Sequence, residues 1–506
     1  MELSKTYTNG SLMKQEKTRD ELRSLSDTNF FFFCKAILGF KDMTSQLHLD
    51  LCNFMQHRSS HKKLVLVPRG HLKTHVVTIG YTLWRVCKDP NLRVIWVNAT
   101  ATNAQHFLRI AAKQFETNSL LRWLYPEVIP DFKKVKWCAT EIELSRDKVC
   151  AESTIEVIGI SGAVTSRHYD IVIKDDIMDE SIASSEVLME DVSRWLRYGE
   201  AVYEDPSIGE DIVVGTRYSN MDIYKSMKDS GEYSVYERQA IENGVSIWPE
   251  RFSLETLSGI KKNQGSYVFS SQYMNNPVDP ESALFKRFNI VSPDKIPKRG
   301  VVFMTVDPAT GKGQDDLAIV VSKFDQFGVE YVIDSVVGKY DPRDTATHLI
   351  RLWRQYKPVN IRIEDVAFQN VLIFYIKELC LRMGLGLPII PLKRRGESKV
   401  KRILRLQPRF ENDEIFFVST LSNIEIIRNQ VLTYSGAVIE RDDFLDALSD
   451  MEENVALVPR LKQDDLESAE ITKLQNSGLD ASSISYWTRV INARNVNQHW
   501  VEEFLA

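Results

Sequence analysis

Short apolar runs alternate with stretches of helical periodicity through the first half of the chain. KLVLV, within Lys62 to Val67, reads as a buried strand. After it, Val77, Gly80, Leu83, Trp84 and Cys87 recur at helical spacing. The alternation continues with a strand LRVIWVN from Leu92, a helix around Ala104 to Phe115, and an alternating strand STIEVIGI from Ser153. It ends with the strands Ile171 to Ile173 and DIVVGTRYS, Asp211 to Ser219. Strands separated by helices, with polar residues at the strands' carboxyl ends, predict an open parallel α/β sheet. Before it, FFFFCKAILGF from Phe30 to Phe40 is interrupted by Lys35, is too short to cross a bilayer and starts too late for a signal sequence. It predicts a helix packing on this first domain.

The pattern then changes. QYMNNPVDPESALFKRF has the proline, asparagine and serine content of a linker. VVFMTVDPATG is a strand ending at Asp307, and LAIVVSKF and VEYVIDSVV read as its antiparallel partners. A helix after Pro342 carries Leu349, Leu352 and Trp353 on one face, and VNIRIED forms a fourth strand ending at Glu364 and Asp365. A helix through Ile373, Ile376 and Leu379, the strand LPIIPL and a last helix with DDFLDALSD complete the series. Three strands, helix, strand, helix, with acids on strand one, strand four and a late helix, is the order of an RNase H-like domain.

Length and composition narrow this little. A chain of 506 residues exceeds one core, and 43% hydrophobic with 26% charged residues is ordinary for a globular enzyme. The formal net charge of -5 means that any polyanion must be met by local basic patches. Six cysteines without a C-x-x-C pair point to buried thiols in a reducing compartment. No repeat or low-complexity tract suggests a solenoid.

Candidate chemistry sits at strand ends. VPRGHLKTH, Val67 to His75, joins strand to helix and ends in Lys73 and Thr74, as a phosphate loop does, although Val67 and Leu72 occupy the glycine positions of that motif. Lys73 would reach the terminal phosphates and the Thr74 hydroxyl would ligate magnesium. Gly70 is the loop's flexible residue, and the Cβ of Leu72 restricts a positive φ there, so the loop is expected to differ from a standard cradle and to bind ATP more weakly. Asp175 and Asp176 close an apolar strand as a Walker B pair does: one holds magnesium, the other polarises the attacking water. In the second half, Asp307, Glu364 and an acid of the late helix are the oxygen ligands that two magnesium or manganese ions, about 3.5–4 Å apart, require for phosphodiester hydrolysis. On that helix Asp443 is favoured with Asp446 in support; Asp442 also shares a face with Asp446. LKRRGESKVKR supplies Lys393, Arg394, Arg395, Lys399, Lys401 and Arg402 as sequence-independent phosphate contacts.

In order and spacing, Gln46, PRGHLKT, NATATNAQ, the Arg167-HYDIVIKDD block and VVGTRYS resemble the ATPase domain of the large terminase subunit of tailed bacteriophages. TVDPATG, IRIEDVAFQN and DDFLDAL resemble that family's nuclease domain, extending the likeness to about Asn454. The resemblance implies a RecA-like P-loop ATPase domain with a parallel sheet, followed by an RNase H-like nuclease domain with a mixed sheet. It implies that Gln46 contacts adenine, that Arg69, Gly70, His71, Leu72, Lys73 and Thr74 form the ATP loop, and that Arg69 stabilises the transferring phosphate. It also implies that Asp175 holds magnesium, that Asp176 is the catalytic acid in a place where the family has glutamate, and that Thr216 senses the γ-phosphate.

The expected divisions are an N-terminal helical segment 1–60, an ATPase domain 61–244, a lid and linker 245–298, a nuclease domain 299–458 and a tail 459–506. A large terminase drives viral double-stranded DNA into a procapsid and cuts concatemers. Expected cofactors are ATP and Mg2+, with Mn2+ an alternative at the nuclease. Expected partners are double-stranded DNA, the portal protein, the small terminase subunit and further copies in a ring, taken as a pentamer, with no membrane. The expected location is the host cytoplasm, transiently at the portal vertex and not in the mature virion. The rivals are a cellular helicase-nuclease, which needs a second motor lobe for which the chain leaves too few residues, and a scaffold component with a decayed nucleotide site.

Overall fold

The computed structural model describes residues 17–44, 46–57, 60–160, 162, 167–183, 186–220, 222–277, 284–308, 317–364, 369–392, 397–435, 442–455 and 457–458. Lys393, Arg394, Arg395, Asp365 and the tail 459–506 therefore lie outside the described residues. The chain divides into two compact units, Met1–Ser282 and Ala283–Ala506. The segment 245–298, expected to stand apart, is shared between them: 245–277 falls in the first unit and 284–298 in the second.

In the first unit, β1 (Lys62–Leu66), β2 (Val94–Asn98), β3 (Glu141–Ile142), β4 (Ile155–Gly159), β5 (Ile171–Asp175), β6 (Glu210–Gly215) and β7 (Ser234–Glu237) form one sheet in the order β3-β4-β2-β5-β6-β1-β7. Every pairing is parallel except β3 with β4. A parallel sheet is covered on both faces, which is why its strands are continuous apolar runs. Successive side chains are dealt to two cores. Val65, Trp96, Ile171, Ile173, Ile212 and Val214 enter one, with the aromatic segment Phe30–Ile37 and the helices α1 (Tyr81–Lys88) and α2 (Ala101–Thr117). Leu64, Leu66, Ile95, Val97, Val172 and Val213 enter the other, with Tyr169 and Tyr224.

The Phe30–Ile37 segment is an α turn running into a wide π turn, and Cys34 lies where a Cβ on Gly80 would meet its sulfur at 2.7 Å, so Gly80 permits that close approach. Thr100 caps α2, its hydroxyl accepting the Asn103 N–H. A two-stranded hairpin, β8 (Ile241–Glu242) and β9 (Val245–Ser246), precedes the long helix α3 (Leu254–Gln272), which is broken at Gly265, where φ is 82° and ψ 163°.

The second unit holds β10 (Ile290–Val291), β11 (Val301–Asp307), β12 (Leu317–Phe324), β13 (Glu330–Gly338), β14 (Ile361–Glu364), β15 (Ile389–Leu392) and β16 (Ile415–Val418), in the order β10-β16-β13-β12-β11-β14-β15. β11, β12 and β13 are antiparallel neighbours, and β14 and β15 extend the sheet in parallel from β11. This is the RNase H-like order expected from the sequence, with β16 and β10 added beside β13. Helix α4 (Pro342–Tyr356) starts at a proline behind an Asp341 cap, whose carboxylate accepts the Arg343 and Asp344 N–H groups. Its Leu349 and Leu352 pack with Ile376 of α5 (Gln369–Met383) over β11, β12 and β14.

Candidate ATPase and nuclease sites

At the carboxyl edge of the first sheet, the end of β1 turns into the loop Val67–Thr74, which enters a wide helical turn, Thr74–Gly80, ahead of α1. One strand, β6, separates β1 from β5, the RecA-like arrangement. Lys73 Nζ lies 3.2 Å from Asp176 Oδ2, bringing together residues far apart in sequence. The Thr74 hydroxyl donates to Asp175 Oδ1 at 3.2 Å, and the Thr78 hydroxyl to Oδ2 at 2.6 Å. Asp175 is buried; desolvation, then the neighbouring Asp176 charge, push its carboxyl up to about 7. Asp176 takes a left-handed backbone, φ 45°, which turns it out of the strand toward the loop lysine.

The loop's ends are tied to neighbouring strands and to α3. Val67 N–H donates to Gly215 O, the Thr216 hydroxyl to Val67 O at 3.3 Å, and Arg69 N–H to Gln272 O at 3.0 Å. Thr216 is thus buried against the loop's first residue. Arg69 and Gly70 are exposed, and Gln46 is an exposed residue beside the buried Leu47. Against the restriction its Cβ imposes, Leu72 does take a left-handed backbone, φ 61°, with Gly70 at 79°.

Two residues here were not singled out from the sequence. Thr78, four positions after Thr74, presents a second hydroxyl to the same carboxylate; that spacing was the available signal. Asn98 at the end of β2 donates from Nδ2 to the Asp175 carbonyl at 2.7 Å, fixing the backbone of the strand end.

In the second unit, the β11–β14 register pairs Val306 with Ile363, so Asp307 and Glu364 come next, side by side at the ends of adjacent parallel strands. Two further helices belong to this unit, α6 (Lys399–Leu404) and α7 (Asp443–Ser449), the latter packed against α6 and on β11 and β12. Helix α7 is docked on β11 by the Thr305 hydroxyl, which donates to Ala447 O at 2.7 Å. Asp443 and Asp446 are both buried. Among the described residues, however, no group of three His, Cys, Asp or Glu side chains lies close enough together to hold a metal ion.

Helix α6, capped by Ser398, faces the acids of α7. Lys399 Nζ lies 2.5 Å from Asp442 Oδ1, 3.6 Å from Asp443 Oδ1 and 3.9 Å from Asp446 Oδ2. Burial alone would lower the Lys399 pKa, but the hydrogen bond to Asp442 and the three acidic charges hold it above its usual range. Arg402 corrects the reading of the basic run: it is buried, and its Nη2 donates to both Asp446 oxygens, at 2.6 and 2.8 Å, so it braces the fold and is closed to phosphate. By the same contact Asp446 is committed to Arg402 in this structure. Lys401 faces outward.

No family profile matches the chain. A curated protein, "Terminase, large subunit" of Enterobacteria phage T3, is 20% identical over 268 residues, covering 46% of this chain and 44% of that protein. The chain is similar to phage large terminases. The aligned part spans less than half of the length of that relative. Among solved structures, the large terminase of a thermophilic bacteriophage covers 79% of this chain and 94% of its own at 10% identity, with a TM-score of 0.49. The large terminase of the HK97 bacteriophage covers 80% and 94% at 10% identity, with a TM-score of 0.32. No helix among the described residues is long and apolar enough to cross a membrane.

Proposed function

We propose that this chain is the large subunit of a terminase, hydrolysing ATP to move viral double-stranded DNA into a procapsid and cutting concatemeric DNA with its second domain. The observation that carries the reading is the meeting of Lys73 and Thr74 with Asp176 and Asp175 at the carboxyl edge of a parallel sheet. In this reading Lys73 binds the terminal phosphates, Arg69 steadies the transferring phosphoryl group, Asp176 orients the attacking water, Thr216 senses the γ-phosphate and Gln46 meets the adenine. The oxygens of Thr74 and Asp175 suit magnesium, a hard cation. A buried carboxyl pushed up to about 7 is a group that a dication would stabilise in its charged form. Magnesium supplies charge neutralisation at the phosphates when bound.

For the nuclease, Asp307, Glu364 and Asp443 are the proposed ligands of two magnesium or manganese ions, an all-oxygen set of which the first two end adjacent parallel strands and the third lies on the helix docked on β11. Lys401, with Lys393, Arg394 and Arg395, would meet the DNA backbone. The partners in this reading are the small terminase subunit, the portal and further copies in a pentameric ring at the portal vertex. A helicase-nuclease is disfavoured because the two sheets differ: one is parallel and RecA-like, the other mixed.

The test is ATP hydrolysis by the full chain with and without double-stranded DNA. Hydrolysis stimulated by DNA and abolished in Lys73→Ala supports the motor; an unaffected variant or the absence of stimulation refutes it. Plasmid nicking with manganese should vanish in Asp307→Ala, and undiminished cutting would remove the nuclease assignment.

A further inference from the structure

The departures of VPRGHLKTH from a glycine-rich cradle coincide with an aromatic wall. His71 is wholly buried and stacks on Phe252, ring centroids 4.4 Å apart and planes 8° apart, with its edge toward Trp248 at 5.7 Å. Trp248 and Phe252 meet at 5.8 Å, and His48 packs on Trp248 at 4.8 Å. Leu72 and Phe252 pack against the cluster of Leu47, Ile247 and Trp248. A Cβ on Gly70 would come within 2.9 Å of Phe252 Cζ, so the loop lies directly against that ring. Three successive loop residues, Gly70, His71 and Leu72, therefore rest on one surface built from residues 47–48 and 247–252.

A left-handed leucine is disfavoured unless its surroundings fix it, whereas glycine adopts that conformation freely. Those surroundings are the cluster of Leu47, Ile247 and Trp248, on which Phe252 also packs, together with the edge of the first core. Rotation of Leu72 back to a common backbone region would redirect the next residue, Lys73, away from Asp176.

We propose that Phe252 and Trp248, gripping His71 and Leu72, form a seat that imposes on the nucleotide loop the left-handed shape which glycine would otherwise supply, making Phe252 a positioning residue for Lys73. The proposal rests on the reading of this loop as an ATP site and goes beyond it by naming what organises the loop. Without the seat the binding-competent loop is one of several populated shapes, and apparent affinity falls by the fraction lost.

The experiment measures ATP binding by calorimetry with magnesium, and steady-state hydrolysis, on the full chain. Phe252→Ala should raise the Kd and KM for ATP about tenfold, with a smaller change in kcat. Adding Leu72→Gly to Phe252→Ala should restore most of the affinity, because glycine no longer needs the seat. A packing role alone would not be rescued by a change at residue 72. Phe252→Leu, which keeps apolar bulk and loses the stack, replaces Phe252→Ala should the latter fail to fold, with the same rescue expected. Unchanged ATP affinity, or a loss that Leu72→Gly does not recover, overturns the seat. A wild-type chain that binds no ATP removes the site reading itself, a result distinct from failure of the seat.

Discussion

At Leu72 the backbone adopts a conformation that costs an ordinary residue about 1–2 kcal/mol, and the neighbouring side chain, His71, carries a second conditional contribution. Burial, foremost, lowers the His71 pKa to about 4, opposed by the hydrogen bond to the Arg69 carbonyl and aided by the nearby His48, Lys73 and Arg251 charges. His48 is lowered to about 4 as well, again chiefly by burial. A histidine whose folded pKa is depressed stabilises the fold above its unfolded value, near 6.5, and loses that contribution as pH falls toward 4. His71→Phe keeps a flat ring for Phe252 and removes the titration. Thermal unfolding from pH 7 to 4 should therefore show the variant losing about 3 kcal/mol less than the wild type; equal losses would contradict the assignment. Sequence alone made Lys73, Thr74, Asp175 and Asp176 visible because strand ends and fixed spacings announce them. It suggested another backbone for Leu72, since residues that pack on it, Ile247 and Trp248 among them, lie far downstream, and tertiary contacts leave no local pattern.

Among elements, α6 separates two kinds of cation within one basic run. Lys399 and Arg402 are three apart, share a helical face and turn toward α7, whereas Lys401 looks outward. Arg402→Met would strip the buried Asp446 of its paired guanidinium, leaving the more distant Lys399 at 3.9 Å as a counter-charge, and should destabilise the second unit by about 3 kcal/mol. Lys401→Ala should leave its stability within about 0.5 kcal/mol and reduce the slope of log K against log salt for DNA binding by about one. Denaturant unfolding and salt-titrated DNA binding check the pair together. The strands themselves were legible: apolar runs between turn residues predicted β1, β2, β4, β5, β6 and β11 to β15, with ends misplaced by a few residues. The two-residue strands β3, β8, β9 and β10 were not, because so short a segment carries no period, and the four-residue strands β7 and β16 were missed as well.

For the whole molecule, division into Met1–Ser282 and Ala283–Ala506, each with its own sheet and cores, predicts two calorimetric transitions. ATP with magnesium should raise only the transition of the first unit, and manganese only that of the second, each by about 2.7 kcal/mol at a hundredfold excess over Kd. A single transition moved by either ligand would contradict independent folding. The switch from alternating strand and helix to three successive strands disclosed the two architectures, whereas α3, whose buried residues Leu257, Gly265, Phe269, Ser271 and Gln272 make no apolar stripe, was not legible.

The break in α3 has a mechanical consequence. Past Gly265 the helix runs to Gln272, whose carbonyl hooks the Arg69 amide, while the portion before the break starts at a Ser253 cap. The two arms are therefore joined through one non-helical glycine, with φ 82° and ψ 163°, and not through a continuous ladder of helical hydrogen bonds. Were the proposed ATPase to move the loop, that motion would pass to the far arm through Gly265, so the stiffness of this joint would govern how much of it survives the journey.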